Sequence, residues 1–304
     1  MLATMRPADV ANLILLGAIW GGSFPLLRYA APQFGPFALI AVRLLVASLV
    51  VLCLWQVARE LRANWQRLTV LGLINTAVPF TLFAFAALLI PAGVNSLLNA
   101  TTPIFGALIA RFWLGERLGP QRWIGILVAF AGVGAIVVET VGFSAAQPFG
   151  EGRSALGVAA GLAAGFLYGL AVCYTRRYLV HLPATVLTTG SVVSATVLLA
   201  PPALLAWPAT APTVGAWVAA ILLGLVCTAA AYVLYFRLLK NVGAARAVTV
   251  TFLIPVFGIL WGALFFDERI GARLLMFCGV VLIGTALATG MFEKGNPTLA
   301  GTRT

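Results

Sequence analysis

The sequence predicts an all-α membrane protein: ten transmembrane helices, arranged as two inverted five-helix repeats. Three observations carry this expectation. Ten apolar segments have membrane-spanning length, basic residues gather on one side of them, and the two halves of the chain match each other.

Composition excludes an ordinary soluble domain. Of the 304 residues, 62% are hydrophobic and only 9% are charged, against about 25% charged in a typical globular domain. So few charges cannot cover a water-facing surface, and a lipid-facing one does not need them. The formal net charge is +11, but the arginines are spread a few per loop. They do not form the basic patch with exposed aromatics that nucleic acid requires. Cys53, Cys173, Cys227 and Cys278 stand singly inside apolar runs. None has metal-site or redox spacing, so each is read as a small packing residue. The first apolar run contains Trp20 and Pro25 and ends in Arg28. It lacks a clean cleavage site and is read as the first span rather than a signal peptide.

A helix needs about 20 mostly apolar residues to cross the hydrocarbon core. The segments that qualify are 10–30, 36–57, 67–90, 92–113, 121–140, 154–177, 184–207, 214–239, 244–266 and 271–291. Proline, glycine or charge marks every break between them. With the N-terminus inside, 14 of the 19 Lys and Arg fall on the cytoplasmic side and 4 outside, with Arg43 inside a span. That asymmetry is the positive-inside signal. It puts both termini in the cytoplasm and the protein in the inner or plasma membrane as a multi-pass protein.

The halves match at a nearly constant offset. At 152 residues, Gly72 meets Gly224, Thr76 meets Thr228, Phe80 meets Tyr232 and Phe83 meets Tyr235. Pro103, Phe105 and Gly106 meet Pro255, Phe257 and Gly258, and Glu116-Arg117 meets Glu268-Arg269. At the front the offset is 148, pairing Gly17 with Gly165, Trp20 with Tyr168, Gly21 with Gly169 and Arg28 with Arg176. The expected units are residues 1–148 and 149–292, followed by a cytoplasmic tail at 293–304. A repeat of five spans inverts its second copy, a recurring design of secondary transporters.

These residues also resemble a known family. Trp20-Gly21-Gly22-Ser23-Phe24, and Pro36 followed seven residues later by Arg43, are similar to the opening of EamA-type members of the drug/metabolite transporter superfamily. Ala92-Gly93-Val94 through Thr102-Pro103, Leu114-Gly115-Glu116-Arg117-Leu118, Gly125 and Gly132-Val133 resemble the family's half-repeat signature. Ile254-Pro255 through Phe266-Asp267-Glu268-Arg269, with Gly279 and Gly284, repeat it. The resemblance spans residues 10–290. It implies ten helices, cytoplasmic termini and export of metabolites, often amino acids, or of drugs.

Polar groups are costly inside a membrane, so intramembrane polar residues are the first functional candidates. Asn75 stands in the third span; Asn95, Asn99 and Thr102 stand in the fourth at i, i+4, i+7. On one continuous helix they would share a face and could form a hydrogen-bonding wall of a substrate cavity, or simply bond neighbouring helices. Thr228 is the repeat partner of Thr76. Trp20, Phe80, Tyr168, Tyr232 and Tyr235 are aromatics away from the span ends and could stack on a substrate, or pack against lipid and core. Pro103 and Pro255 are expected to interrupt two spans at matched positions, as a gate or hinge. Arg43 is the one charge well inside a span; it would either pair with a substrate carboxylate or clamp backbone carbonyls. The glycines at 157, 161, 165 and 169, and at 17 and 21, read as helix-packing seams. Glu116 and Glu268 read as interfacial ion pairs or helix-end anchors.

The expected activity is secondary transport, in the export direction, of small amphiphilic metabolites such as amino acids. No acidic residue is deep in a span, which favours uniport or exchange over proton antiport. A multidrug or other metabolite permease and a passive channel are the rival readings. An intramembrane hydrolase or transferase is disfavoured, because its acidic or histidine groups would have to converge at one depth. The expected partners are a small-molecule substrate and the lipid bilayer, not nucleic acid; a monomer and a homo-oligomer are both compatible with the sequence. No cofactor or metal is expected.

Overall fold

The computed structural model describes residues 5–55, 57–144 and 153–291. The expected tail at 293–304 lies outside them. The described residues are helical, without strands. The elements are α1 (Pro7–Leu54), α2 (Ala58–Ala63), α3 (Trp65–Ala87), α4 (Ala92–Asn99), α5 (Thr102–Trp113) and α6 (Pro120–Ser144). They continue as α7 (Arg153–Tyr178), α8 (Ala184–Leu205), α9 (Val214–Val242), α10 (Ala244–Ala247), α11 (Val250–Phe266) and α12 (Ala272–Ala288). Among the described residues, six helices (α1, α3, α6, α7, α8 and α9) are long and apolar enough to cross a membrane. Two shorter apolar helices, α11 and α12, accompany them. The chain is a multi-pass membrane protein on this ground.

Helix α1 has 48 residues, about 72 Å of helix at ~1.5 Å per residue against a hydrocarbon core of about 30 Å. It is not continuous. Gly35 breaks it with φ 72° and ψ 162°, a conformation that only glycine adopts at ease. The two limbs meet different partners. Gly21 of the first limb lies against Phe257 and Gly258 of α11, while Arg43 and Val46 of the second lie against Gly224 of α9.

The chain opens a π-helical turn twice: at Leu73–Ala77 within α3 and at Leu225–Ala230 within α9. The two turns begin 152 residues apart. Such turns free backbone groups and re-aim side chains, and they are frequent at functional sites.

Two close helix crossings are also duplicated. A Cβ at Gly21 would lie 2.6 Å from Phe257 Cβ and 2.8 Å from the Ile254 carbonyl. A Cβ at Gly169 of α7 would lie 2.6 Å from the Gly106 nitrogen and 2.9 Å from the Phe105 carbonyl carbon. Only glycine permits this approach, in which dispersion contacts between backbones hold the helices in the absence of a hydrophobic drive. Helix α6 packs along α12.

The expected pair of matched proline interruptions is not what the fold contains. Pro103 stands in the first turn of α5, behind a break at Ala100–Thr101. There its missing N–H leaves no helical bond unmade. Pro255 lies inside α11, and the break in the second half falls earlier, at Val248–Thr249. The missing N–H of Pro255 takes a helical donor from the Thr251 carbonyl without ending the helix.

Candidate functional site

A cavity of about 380 Å³ sits at the centre of the bundle, within the size range of small-molecule sites. It gathers most of the candidates from the sequence. Trp20, Arg43, Asn75, Phe80 and Asn99 line it from the first half, with Thr102 at the start of α5. Tyr168, Thr228 and Tyr232 line it from the second half. The π-turns bring Asn75, Cys227 and Thr228 to its wall.

Sixteen of the 24 lining residues fall into pairs at the two offsets found in the sequence. Trp20 and Tyr168, Phe24 and Val172, and Leu27 and Thr175 are pairs at 148. Asn75 and Cys227, Phe80 and Tyr232, Phe83 and Tyr235, Asn99 and Thr251, and Thr102 and Ile254 are pairs at 152. The two halves therefore contribute corresponding surfaces to one space.

Aromatic rings form much of the wall. Trp20 meets Tyr235 at 5.6 Å and Tyr232 edge-on at 6.4 Å between centroids. Phe83 touches Phe24 edge-on at 5.6 Å and Tyr168 at 5.9 Å. Rings at these separations attract one another beyond simple burial, so this wall is stiff as well as apolar.

Arg43 supplies the polar centre. It is 5% exposed. Its Cζ stands 3.9 Å from the centroid of the Phe80 ring, a cation–π contact that is strong when desolvated. Its Nε donates to Thr228 Oγ1 at 3.0 Å, and Thr228 donates onward to the Leu223 carbonyl at 2.8 Å. At the corresponding place in the other half, Ser191 bonds Thr76. Ser191 is offset from Arg43 by 148 and Thr76 from Thr228 by 152, so the same crossing is bridged twice, once by arginine and once by serine.

One end of the cavity is sealed. Glu268 follows Asp267, whose φ of 50° turns the chain after α11. The Glu268 carboxylate accepts from the backbone N–H groups of Ala92 at 2.7 Å and Gly93 at 3.1 Å, first-turn donors of α4 that have no intrahelical acceptor. Arg28 Nε stands 3.4 Å from the same carboxylate, and Arg28 Nη1 donates to the Ile90 carbonyl at 2.8 Å. Phe24, Leu27 and Phe83 line the cavity beneath this closure. At the opposite end the lining runs out through Leu71, Thr175, Leu187 and Val248, on helix ends that also carry Arg67, Arg176 and Arg246. Glu116 pairs with Arg176 there, with about a third of its side chain exposed.

Asn95 is a correction. It is fully buried, donates from Nδ2 to the Phe83 carbonyl at 3.0 Å, and is not among the lining residues. The i, i+4, i+7 face shared with Asn99 and Thr102 assumes one unbroken helix, and the break at Ala100–Thr101 removes that assumption. Pro103 and Pro255 are likewise outside the lining. Sequence reasoning passed over Thr188, Cys227 and Phe83. The offset of 152 was a usable signal for two of them, since it pairs Cys227 with Asn75 and Phe83 with Tyr235.

The two asparagines should separate on mutation. Asn95→Ala removes the buried side-chain donor to the Phe83 carbonyl, so the melting temperature of the purified protein should fall, by the equivalent of about 1–3 kcal/mol, with substrate affinity little changed. Asn99→Ala should do the reverse. Thermal unfolding and substrate titration on both variants check this, and equal profiles would contradict it.

Comparison with known proteins places this chain in a family. The model of the EamA-like transporter family matches residues 10–138 and again 155–290. The uncharacterized transporter YvbV of Bacillus subtilis is 25% identical over 283 residues, covering 90% of this chain and 88% of that protein. A protein of Escherichia coli K12 named "Probable amino-acid metabolite efflux pump" is 25% identical, covering 95% and 96%. One of Streptantibioticus cattleyicolor, named "Probable terminal-alkyne amino-acid exporter", is 28% identical, covering 80% of each. A solved crystal structure 20% identical in sequence superposes with a TM-score of 0.65 over 95% of this chain and the whole of its own, a likeness of fold. Two matches to one family model, over nearly all of the described chain, mean that this protein belongs to the EamA-like transporter family.

Proposed function

We propose that the chain exports small amphiphilic metabolites, amino acids foremost, across the inner or plasma membrane by alternating access. The observation that carries this reading is the pairing of the cavity lining: eight pairs of repeat-related residues face one space. A site on the pseudo-symmetry axis of two inverted halves is what alternating access requires, because exchange of conformations between the halves moves the opening from one side to the other. The duplicated π-turns, the duplicated glycine crossings and the double family match support ten spans in two inverted five-helix units. On this reading the limbs of α1 are the first two spans, α4 with α5 is the fourth, and α10 with α11 is the ninth. The charge bias supports cytoplasmic termini. The open end of the cavity then faces the cytoplasm, and the Arg28–Glu268 closure lies outside.

The names of two relatives, "Probable amino-acid metabolite efflux pump" and "Probable terminal-alkyne amino-acid exporter", favour amino acids over drugs. The working partners are the substrate and the surrounding lipid, with a single chain sufficient to enclose the cavity. Among the described residues no carboxylate lines the cavity, which favours uniport or exchange over proton antiport.

Counterflow in proteoliposomes tests this. Labelled amino acid should enter vesicles preloaded with unlabelled substrate, saturably and faster than empty ones. An imposed pH gradient alone should drive no uphill accumulation. Flux that neither saturates nor responds to internal substrate would indicate a channel, and gradient-driven accumulation would overturn the coupling reading.

A further inference from the structure

Among the described residues, the terminal nitrogens of Arg43 have no hydrogen-bond partner. Of the guanidinium's three nitrogens, Nε is committed to Thr228 and the π-face is committed to Phe80. Among the described residues, no hydrogen bond or ion pair engages Nη1 or Nη2, although the residue is 95% buried by its 5% exposure. A buried cation without an anion is expensive, and the fold retains this one at the cavity wall. No other lining residue is charged. Thr102, on the same cavity, has its Oγ1 buried and without a hydrogen-bond partner.

From this geometry we infer that Arg43 is the seat of the substrate carboxylate, and that the cavity selects carboxylates over organic cations. This rests on the transporter reading above and specifies its substrate class. The Thr228 bond and the Phe80 stack fix the guanidinium plane. They leave the Nη edge as a preformed fork, whose spacing matches the two oxygens of a carboxylate. A cation entering the same space would meet Arg43 with no carboxylate to offset the repulsion. The aromatic wall receives the apolar body of the substrate. Because the position matching Arg43 in the other half is Ser191, the cavity has one seat rather than two. The substrate therefore binds in one orientation in an otherwise pseudo-symmetric space.

Four probes of similar size test this in counterflow: L-phenylalanine, 3-phenylpropionate, phenylalaninamide and 2-phenylethylamine. The two carboxylates should exchange and the amide and amine should not. Arg43→Lys keeps the charge and loses the fork, and Arg43→Gln loses both. Each should weaken exchange of the carboxylates, by about tenfold to a hundredfold for loss of charge-assisted bonds, with the lysine variant the milder. Arg43→Lys also serves where Arg43→Gln fails to fold. Exchange of the amine or amide as fast as the acids, or carboxylate exchange in Arg43→Lys equal to the parent at normal expression, would overturn the seat while leaving a transporter. Competition by chloride or phosphate as potent as by 3-phenylpropionate would overturn it in favour of a general anion site. Flux of none of the four would overturn the carboxylate seat and the amphiphile-transport reading together.

Discussion

Gly21→Leu and Gly169→Leu should each abolish transport and sharply lower thermal stability. Both glycines stand where two helix backbones touch. At Gly21 a Cβ would meet Phe257 Cβ at 2.6 Å, the Ile254 carbonyl at 2.8 Å and the Gly258 nitrogen at 2.9 Å. At Gly169 the nearest atoms are backbone as well, from Phe105 and Gly106. Backbone cannot rotate aside as a flexible side chain can, so the helices must part. Overpacking in a tight interior costs about 1–3 kcal/mol and at times more; these sites belong at the upper end. Both crossings also flank the cavity, since Trp20 and Tyr168 are their immediate neighbours on α1 and α7. Separation there would displace two matched aromatics. Gly134→Leu is the internal control: it is exposed, and a Cβ there meets nothing within 4 Å. Thermal unfolding in detergent and counterflow in vesicles read both effects. Normal melting and normal flux in Gly21→Leu would refute the close crossing.

These glycines show which parts of the architecture the sequence makes legible. Lipid demands apolar surface over a fixed length, so the apolar helices long enough to cross a membrane are legible from hydropathy. A duplication leaves offsets that survive divergence, so the residues meeting at the centre were findable as pairs before any contact was known. What sequence could not supply is the local path of the backbone. Asn95 was placed with Asn99 and Thr102 because 3.6-residue periodicity was carried across Ala100–Thr101, where the helix stops and restarts. Pro103 and Pro255 match perfectly in sequence, yet one opens a helix and the other sits inside one, because a proline's effect depends on whether its position owed a hydrogen bond. Arg43 looked like a choice between structural clamp and ligand group. Its Nε bonds the Thr228 hydroxyl rather than a backbone carbonyl, and among the described residues no hydrogen bond engages its terminal nitrogens, an arrangement no residue spacing encodes. Long-range partners were hidden too. Glu268 stands beside Arg269 in sequence but pairs with Arg28 and the start of α4.

That last contact should be the stronger of the two end ion pairs, and Glu268→Ala should open the sealed end of the cavity. The carboxylate holds two backbone donors and one guanidinium, with its side chain only 15% exposed. Its charge also lies at the positive end of α4, where an anion is favoured. Bonds to a charged group contribute about 1.5–3 kcal/mol each when shielded from water. Even one such contribution shifts a two-state equilibrium by roughly tenfold or more. The related pair at the other end, Glu116 with Arg176, has side chains 33% and 48% exposed. Exposed pairs contribute about 0–1 kcal/mol, so Glu116→Ala should change the balance little. A cysteine at Leu27, which lies beneath the closure and is 2% exposed, reports the difference in a background with Cys53, Cys173, Cys227 and Cys278 replaced. With membrane-impermeant maleimide added from the Arg28 side, Leu27→Cys should label slowly in the otherwise unchanged protein. Added Glu268→Ala should raise that rate at least about tenfold, and added Glu116→Ala should leave it near its starting value. Bound substrate that returns the protein to the sealed state should slow the labelling again. If Glu268→Ala leaves Leu27→Cys as protected as before, the seal is made by the packing of Phe24 and Phe83 alone, and the carboxylate is only a cap for α4.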